Sequence, residues 1–403
     1  MAMHGTPLDC WQHLAKGSYK MPLEPTSPLP TVTHIVSGDV WAGAEVQAFQ
    51  LCQSLKHSGK VRPTAIVFNE GTLYERLKKA GIDVSLLDER VLSPLAMISG
   101  IRNHIQTQGT SILHTHGFKE NILGVSAGVL AGVHCSVRTA HGSPETPAPW
   151  YRLDKRLLNI LDNLAARFFQ DAIIAVSGQL SNTLTQKFGD KVHHIPNFID
   201  VDQLRRDYLD RRSVEHESAK PLIVGIVGRL VPVKRVDLFV DTIAELIHKH
   251  QIDVHGMIIG DGPLRSAIEQ RVQQKGLESN ITITGFQNPV YPALTKLDIL
   301  LMTSDHEGLP MTLLEALALE VPVVAHNVGG IPEVLNQGSA GVLVNDHSPR
   351  GFASAVMSLN SEKKRNSLGT AGRQHVEKTF DWRVNTAKYL NLYGSLVPVS
   401  SFE

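Results

Sequence analysis

Two glutamates offer the clearest chemistry in this sequence. Glu307 and Glu315 stand eight positions apart, and Glu315 lies within the apolar run 313–317, Leu-Leu-Glu-Ala-Leu. A carboxylate is rarely placed among large apolar side chains unless a hydrogen-bonding group pairs with it. A vicinal diol, which offers two hydroxyl donors, is a suitable partner. The structural alternative is that Glu307 merely neighbours a helix N-cap and that Glu315 is a solvated helix residue.

A basic pair follows the strand predicted over 222–227. Arg229 and Lys234 come after that strand and just before the helix predicted over 236–248. A helix N-terminus favours anions, and the side chains of Arg and Lys add full positive charges. We interpret the pair as a clamp for a diphosphate. The alternative is that both are ordinary solvated surface charges.

Three histidines stand at or beyond the ends of predicted strands. His141 directly follows the strand predicted over 136–140. A histidine in such a position either makes a structural hydrogen bond or contacts a ligand. His114 and His116 share one face of their strand by alternation. No third ligand for them is apparent in the sequence, so we expect no metal site there.

Asp200 and Asp202 form an Asp-x-Asp pattern. In some transferases this pattern holds a divalent metal. Here it precedes a short helix, where Asp is a favoured N-cap residue. We therefore expect capping and no metal.

Short apolar strands alternate with helical patterns through almost the whole chain. Continuous Val, Ile and Leu runs joined by helices are typical of buried parallel strands, so the sequence predicts an α/β fold. Thirteen such runs favour two sheets rather than one. The predicted strands are 31–36, 65–68, 84–87, 112–114, 136–140, 173–176 and 192–195 in the first half, and 222–227, 255–259, 281–284, 299–302, 321–325 and 341–344 in the second.

Glycines and polar residues recur directly after these strands. They include 42–45, 116–117, 141–143, 228–229, 260–262, 285–286, 304–308 and 329–330. In open α/β sheets the ligand crevice lies outside the carboxyl ends of the strands. Two facing sheets would place all these loops around one cleft.

A change in composition indicates where the two sheets divide. Residues 200–221 are charged and poor in large apolar groups, and a new series of strands begins directly after them. We predict an extension over 1–30 that is poorly ordered, a first domain over 31–198 and a second over 199–379. A closing helix over 380–403 belongs with the first domain.

Overall composition limits the classes of function. The 403 residues carry 39 basic and 39 acidic side chains, so net charge gives no reason to expect nucleic-acid binding. Cys10, Cys52 and Cys135 form no metal or disulfide pattern, which fits a reducing compartment such as the cytoplasm. The longest apolar run, 122–133, is too short to span a membrane, and no signal peptide is recognisable.

The helix predicted near 151–169 combines basic and apolar side chains. Its apolar residues are Leu153, Leu157, Leu161, Leu164 and Phe168, and its basic ones are Arg152, Lys155, Arg156 and Arg167. We expect this apolar face to pack on the core. A membrane-surface patch is the alternative, and it would matter most if the acceptor were lipid-linked.

The stretch 301–333 resembles the donor-sugar site of the family 4 glycosyltransferases, which have the GT-B fold. The matching residues are Glu307, Gly308, Pro310, Glu315 and the run 329–333, Gly-Gly-Ile-Pro-Glu. The resemblance implies that Glu307 contacts the transferred sugar and that Glu315 holds the ribose of the nucleotide. It also implies that the amides of Gly308, Leu309 and the neighbours of Pro310 approach sugar and phosphate.

Other positions match the same family. Arg229 and Lys234 match its basic motif, and His141 matches the first-domain histidine that touches the sugar and helps align the reacting centre. The run 42–45 resembles its first glycine-rich loop, with Ala42 in place of a glycine and Gly43 kept as the close-approach position. The expected catalytic residues are His141, Arg229, Lys234 and Glu307. The expected donor-binding residues are Gly43, Gly228, Arg229, Lys234, Gly260, Phe286, Glu307, Gly308, Leu309, Pro310 and Glu315.

The resemblance covers about residues 31–395 and implies two Rossmann-like domains facing a central cleft. The run 380–382, Phe-Asp-Trp, and the helical pattern through Tyr393 resemble the family's closing helix, which crosses back to the first domain.

The function implied is a retaining glycosyltransferase in polysaccharide or glycolipid biosynthesis. It would move a sugar from a nucleoside-diphosphate sugar to a hydroxyl of a carbohydrate or lipid-linked acceptor, without a metal or other cofactor. The expected location is the cytoplasm, with a peripheral contact at the inner face of the membrane kept open. Alternatives are a nucleotide-sugar epimerase or a phosphorylase on the same fold, and a non-catalytic nucleotide-sugar-binding subunit. The sugar, the base (UDP, GDP or ADP), the acceptor and the oligomeric state stay open.

Overall fold

The computed structural model describes residues 29–142, 153–208 and 221–397. Of the extension predicted over 1–30, only Leu29 and Pro30 fall within these ranges, so its predicted disorder stays a prediction.

The first half of the chain forms one sheet with helices on both sides. Its strands are β1 (Thr31–Val36), β2 (Arg62–Val67), β3 (Asp83–Leu86), β4 (Thr110–Thr115), β5 (Cys135–Ala140), β6 (Ala172–Ala175) and β7 (Val192–His194). All pairings are parallel, in the order β3-β2-β1-β4-β5-β6-β7. The helices are α1 (Gly43–Ser58), α2 (Thr72–Lys79), α3 (Pro94–Gln108), α4 (Phe118–Ala131), α5 (Leu153–Phe169) and α6 (Gly178–Phe188).

The second half repeats this arrangement. Its strands are β8 (Leu222–Val227), β9 (Val254–Ile259), β10 (Ile281–Gly285), β11 (Ile299–Met302), β12 (Val323–His326) and β13 (Val342–Val344). They form a parallel sheet in the order β10-β9-β8-β11-β12-β13. The helices are α7 (Val201–Tyr208), α8 (Val236–His248), α9 (Arg265–Gln274), α10 (Tyr291–Leu294), α11 (Met311–Ala318), α12 (Ile331–Val334), α13 (Pro349–Ser358), α14 (Glu362–Thr379) and α15 (Trp382–Leu396).

The two-sheet α/β prediction is confirmed within the described residues. Each predicted strand is present, and the bounds of β1, β8 and β11 are those predicted. These strands are covered on both faces, as parallel strands usually are: every residue of β11 is buried. Strand β7 ends at His194 and β8 begins at Leu222, so the predicted boundary after residue 198 falls in the connection between the sheets.

The last helix returns to the first half, as predicted. Tyr389 and Tyr393 of α15 are fully buried in a cluster with Val32 of β1 and Leu51 of α1. The outgoing and returning segments pair at a bridge between Ile199 and Asp381. The C-terminal helix is therefore part of the core under the first sheet.

Helix α5 contradicts the expectation of core packing. Leu157, Leu161, Leu164 and Phe168 are all exposed, by 40–67%. The side of α5 that faces the protein is instead formed by Asp162, Ala165 and Ala166. The Asp162 carboxylate accepts hydrogen bonds from Arg138 Nη1 at 2.7 Å and from Asn121 Nδ2 at 2.8 Å. These polar bonds anchor the helix, and its apolar stripe points outward.

Two observations concern helix starts. Helix α11 begins at Met311, and Pro310 is the extended residue directly before it. The capping role predicted for Asp200 is confirmed, because its Oδ1 accepts a hydrogen bond from the Gln203 amide at 2.9 Å. Asp202 forms an ion pair with Arg383 at 2.6 Å.

Candidate active site

A cavity of about 340 Å³ lies between the carboxyl ends of the two sheets. Each predicted catalytic and donor-binding residue borders it. From the first half these are Gly43 and His141, and from the second half Gly228, Arg229, Lys234, Gly260, Phe286, Glu307, Gly308, Leu309, Pro310 and Glu315. The strand order places the loops after β1, β5, β8, β9, β10 and β11 at this one opening.

Glu307 lies in the loop after β11 and is held from two sides. Its Oε1 accepts hydrogen bonds from Lys234 Nζ at 2.5 Å and from Ser304 Oγ at 2.6 Å. The side chain is almost fully buried. A buried carboxylate in such a pair is fixed in position. Lys234 is predicted to contact a phosphate, and in the structure it also pairs with Glu307.

Lys234 ends a short 3-10 turn, Pro232–Lys234, and Arg235 separates it from the first residue of α8. Arg229 borders the same cavity, is exposed, and makes no ion pair with any residue in the described ranges. The N-terminus of α8 adds partial positive charge nearby. This corner of the cavity suits an anion.

Position 260, which borders the cavity near Arg229 and Lys234, requires glycine. Gly260 has φ +153°, and a Cβ there would lie 1.9 Å from the carbonyl oxygen of Gly228. The loops after β8 and β9 therefore touch through their backbones. A ligand entering here meets backbone atoms of both loops.

Glu315 is buried near the middle of α11, and burial raises its pKa to about 7. The hydroxyl of Tyr291 donates a weak hydrogen bond to Oε1 at 3.4 Å. The carboxylate thus keeps unused acceptor capacity at the cavity wall. Sequence reasoning found Glu315 but missed Tyr291, which lies 24 positions earlier on α10.

His141 ends a series of hydrogen-bonded histidines. Its Nε2 lies 3.2 Å from Nδ1 of His116, and Nε2 of His116 lies 3.0 Å from Nδ1 of His34 on β1. Burial lowers the pKa of His141 to about 4 and that of His34 to about 3, so both rings are neutral near pH 7.

The expectation that His114 and His116 lack a third histidine is wrong. Ring nitrogens of His34, His114 and His116 lie within 4.8 Å of one another, a grouping that could hold a metal ion. However, both nitrogens of His114 are engaged, by the hydroxyls of Tyr393 at 2.7 Å and Thr139 at 2.8 Å. The rings of His114 and His116 also stack at 23°, so their in-plane lone pairs do not converge. Binding a metal would require breaking these hydrogen bonds.

The two halves contact each other directly beside the cavity. A Cβ on Gly308 would lie 2.2 Å from the carbonyl oxygen of His141, so only glycine fits there. Asn197 Nδ2 donates to the Leu309 carbonyl at 2.8 Å. Glu333 accepts from the Gly178 amide at 2.7 Å, at the start of α6. Asn197 was not predicted, and no signal in the sequence singles it out.

Comparisons with known proteins agree with this geometry. A family model described as Glycosyltransferase Family 4 matches residues 41–203, and one described as Glycosyl transferases group 1 matches residues 221–362. Together they match most of the chain. N-acetyl-alpha-D-glucosaminyl L-malate synthase of Bacillus anthracis is 28% identical over 308 residues, covering 74% of this chain and 78% of that protein.

Two further proteins extend the comparison. A UDP-Gal:alpha-D-GlcNAc-diphosphoundecaprenol alpha-1,3-galactosyltransferase of Escherichia coli is 26% identical over 301 residues, covering 71% of this chain and 76% of that protein. The crystal structure of HepE from Anabaena in complex with UDP has a TM-score of 0.75 at 18% identity, covering 91% of this chain and 100% of that chain. The solved structure shares the fold of this chain.

Proposed function

This chain belongs to the family 4 glycosyltransferases of the GT-B type, and from that premise we propose that it uses a nucleoside-diphosphate sugar and retains the anomeric configuration. The acceptor would be a hydroxyl group of a glycan or glycolipid. One observation carries the proposal: the cavity brings Arg229, Lys234, Glu307 and Glu315 of the second half opposite His141 of the first.

Each part of the donor has a chemically matched partner in this cavity. The buried Glu315 carboxylate can accept from the two hydroxyls of a ribose. Arg229, Lys234 and the start of α8 offer positive charge for a diphosphate. The sugar would then lie between Glu307 and His141, where the two halves meet.

The proposed step exchanges one bond at the sugar C1 for another. The bond from C1 to the phosphate oxygen breaks, and its electron pair stays on that oxygen. The acceptor hydroxyl oxygen bonds to C1 from the same face, and its proton passes to the leaving phosphate oxygen. Glu307 is engaged by Lys234 and Ser304, so we assign it to positioning the sugar and to no covalent bond with C1. Lys234 and Arg229 would stabilise the charge that develops on the diphosphate, without a metal.

UDP-sugars are the first donors to test. HepE was solved with UDP, and the galactosyltransferase named above uses a UDP-sugar by its name. Melting temperatures measured with UDP-, GDP- and ADP-sugars should identify the base, because a ligand that binds the native state raises its stability.

The decisive experiment measures nucleoside diphosphate release with and without candidate acceptors. Release that needs an acceptor, giving a product with the anomeric configuration of the donor by NMR coupling constants, supports the proposal. Conversion of the donor sugar without an acceptor would support an epimerase instead. Donor binding without turnover on any acceptor would support a non-catalytic subunit.

We further propose that α5 rests on an anionic bilayer, where a lipid-linked acceptor would lie. Leu157, Ile160, Leu161, Leu164 and Phe168 recur at helical spacing on the solvent side of α5, and all are exposed. The exposed Arg167 and Lys187 line a shallow groove together with Ile160 and Leu164. An apolar stripe bordered by cations suits a surface of anionic headgroups. Among the described residues, no helix combines the length and apolarity needed to cross a bilayer.

Co-sedimentation with phosphatidylglycerol and phosphatidylcholine vesicles tests this contact. The double variant Leu161→Gln, Phe168→Gln should bind phosphatidylglycerol vesicles at least about tenfold more weakly, since each apolar side chain withdrawn from lipid costs about 1.5–3 kcal/mol. Val91→Gln is the matched control, because Val91 is 80% exposed and follows β3, which β2, β1 and β4 separate from β5, the strand before α5. Equal binding by the double variant and the control would refute the assignment of α5.

A further inference from the structure

The histidine series behind the cavity joins three strands of the first sheet. His34 lies on β1, His116 follows β4, and His141 follows β5. The order β1-β4-β5 makes these strands neighbours, so residues distant in sequence meet at one edge. His34 is fully buried, His116 nearly so, and His141 borders the cavity. The series therefore runs from the protein core to the expected position of the sugar.

Neutral imidazoles can form this series in only two ways. Each ring carries one N–H and one lone pair, so His116 must donate one of its two hydrogen bonds and accept the other. In the first arrangement His34 Nδ1 donates to His116, and His116 Nδ1 donates to Nε2 of His141. The proton of His141 then lies on Nδ1. In the second arrangement every bond is reversed, and the proton of His141 lies on Nε2.

The two ends of the series decide between these arrangements. Neither Nε2 of His34 nor Nδ1 of His141 has a hydrogen-bond partner among the residues described. The second arrangement places an N–H on Nε2 of His34, deep in the core, where no ligand can reach it. The first arrangement instead leaves a lone pair there and places the unpaired N–H on Nδ1 of His141, which is also buried but belongs to a residue that borders the cavity. Buried N–H groups without a partner are rare, so the end of the series beside the cavity is the better place for this N–H.

His114 supports the series from the side. Its ring stacks on His116 with centroids 4.4 Å apart. Its nitrogens are engaged by Thr139 of β5 and by Tyr393 of α15, so it does not exchange hydrogen bonds with His116. The amide of His116 also donates to the Ile35 carbonyl at 3.1 Å. These contacts restrict rotation of the His116 ring.

We propose that His34 and His116 are positioning residues that hold His141 as the Nδ1–H tautomer, ready to donate a hydrogen bond to the transferred sugar. The inference rests on the proposed function, since it requires a sugar beside His141. His34 and His116 touch no substrate and act only through His141.

Imidazole ¹H–¹⁵N NMR of the free protein tests the tautomer directly, because it distinguishes a protonated ring nitrogen from a bare one. The His141 signals are assigned as those lost in His141→Gln. We expect the proton on Nδ1, and a proton on Nε2 would overturn the proposal. This measurement needs no turnover, so its outcome is separate from success or failure of the proposed function.

Kinetics then test the positioning role. His34→Leu should lower kcat about 10- to 100-fold, by analogy with loss of the hydrogen-bond partner behind a metal-ligating histidine. Donor KM should change less than about threefold, because the nucleotide contacts remain. His34→Asn should recover most of the loss, since its side-chain amide can donate to His116 from a similar position. A folded His34→Leu protein with wild-type kcat would contradict the proposal.

A matched control separates positioning from packing. His104 is another buried histidine of the first half, with hydrogen bonds to Ser85 at 2.7 Å and Thr64 at 3.2 Å and no link to His141. His104→Leu should lower the melting temperature but leave kcat of the folded protein unchanged. If His104→Leu lowers kcat as much as His34→Leu does, loss of packing explains both effects and the proposal fails. If His34→Leu does not fold, the kcat of His34→Asn and the NMR measurement of the His141 tautomer still test the proposal.

Discussion

The ionisation of Glu315 gives a prediction that links stability to donor binding. The side chain is 6% exposed, and burial raises its pKa from 4.5 to about 7. The perturbation is Glu315→Gln, which keeps the shape of the side chain but removes the titrating group. Tyr291 can still donate to the amide oxygen of the new side chain.

The effect on stability follows from where the proton binds. Between pH 4.5 and about 7 the folded state holds a proton at Glu315 that the unfolded state has released. The wild-type protein therefore loses stability as pH rises through this window, by roughly 3 kcal/mol in total. Glu315→Gln lacks this loss, so its stability relative to wild type should be greater at pH 8.5 than at pH 5 by about 2–3 kcal/mol.

Donor binding should respond in the opposite direction. Ribose hydroxyls can donate to the carboxylate, so binding requires the ionised form. Wild-type affinity for UDP should fall as pH drops below about 7, with a limiting slope of tenfold per pH unit. Glu315→Gln should bind about 10- to 100-fold more weakly at pH 8, since a hydrogen bond to a charged group contributes about 1.5–3 kcal/mol.

The assays are denaturant unfolding and calorimetric titration with UDP between pH 5 and pH 8.5. The terminal phosphate of UDP also titrates, near pH 6, so the quantity compared is the difference between wild type and variant. Glu278→Gln is the control, because Glu278 is exposed and lies outside the cavity. Parallel pH curves for wild type and Glu315→Gln, or equal UDP affinity at pH 8, would refute the assignment of Glu315 to the ribose.

Three other predictions concern charge and architecture. Lys234→Ala should lower kcat about 10²–10³-fold with a much smaller change in donor KM, because the lysine acts mainly on the charge that develops as the bond breaks. A normal kcat in steady-state kinetics would show that the diphosphate binds elsewhere. Transfer activity should persist in EDTA, since Arg229 and Lys234 supply the charge, and activity lost in EDTA but restored by Mg²⁺ or Mn²⁺ would contradict this. Truncation after Thr379 should abolish soluble expression, because it removes the fully buried Tyr389 and Tyr393 from the core of the first half. A soluble truncated protein that unfolds cooperatively would show that α15 is dispensable.

The sequence by itself determined the strands and the residues that meet at the cavity. β8 and β11 are runs of apolar residues, broken only by Gly225, and they end at glycine or threonine, so their bounds follow from local composition. Parallel strands carry their loops to one edge of the sheet, so residues that follow strands, such as His141 and Arg229, could be placed beside one opening.

The partners of the site residues were decided only by the tertiary structure. Glu315 meets Tyr291, and His116 meets His34 across 82 positions of sequence. Such contacts depend on the order of strands in the sheet and on the packing of helices over it. No local pattern of residues encodes either.

Helix α5 is a second example of what the sequence alone did not determine. Its periodicity correctly indicates an apolar face, but that face is exposed, and the helix is anchored through Asp162 to Arg138 and Asn121. Periodicity reports that a helix has two chemically different faces. Which face is covered depends on the neighbouring surface: here a buried ion pair with small residues around it holds the helix, and the large apolar side chains are left for another partner.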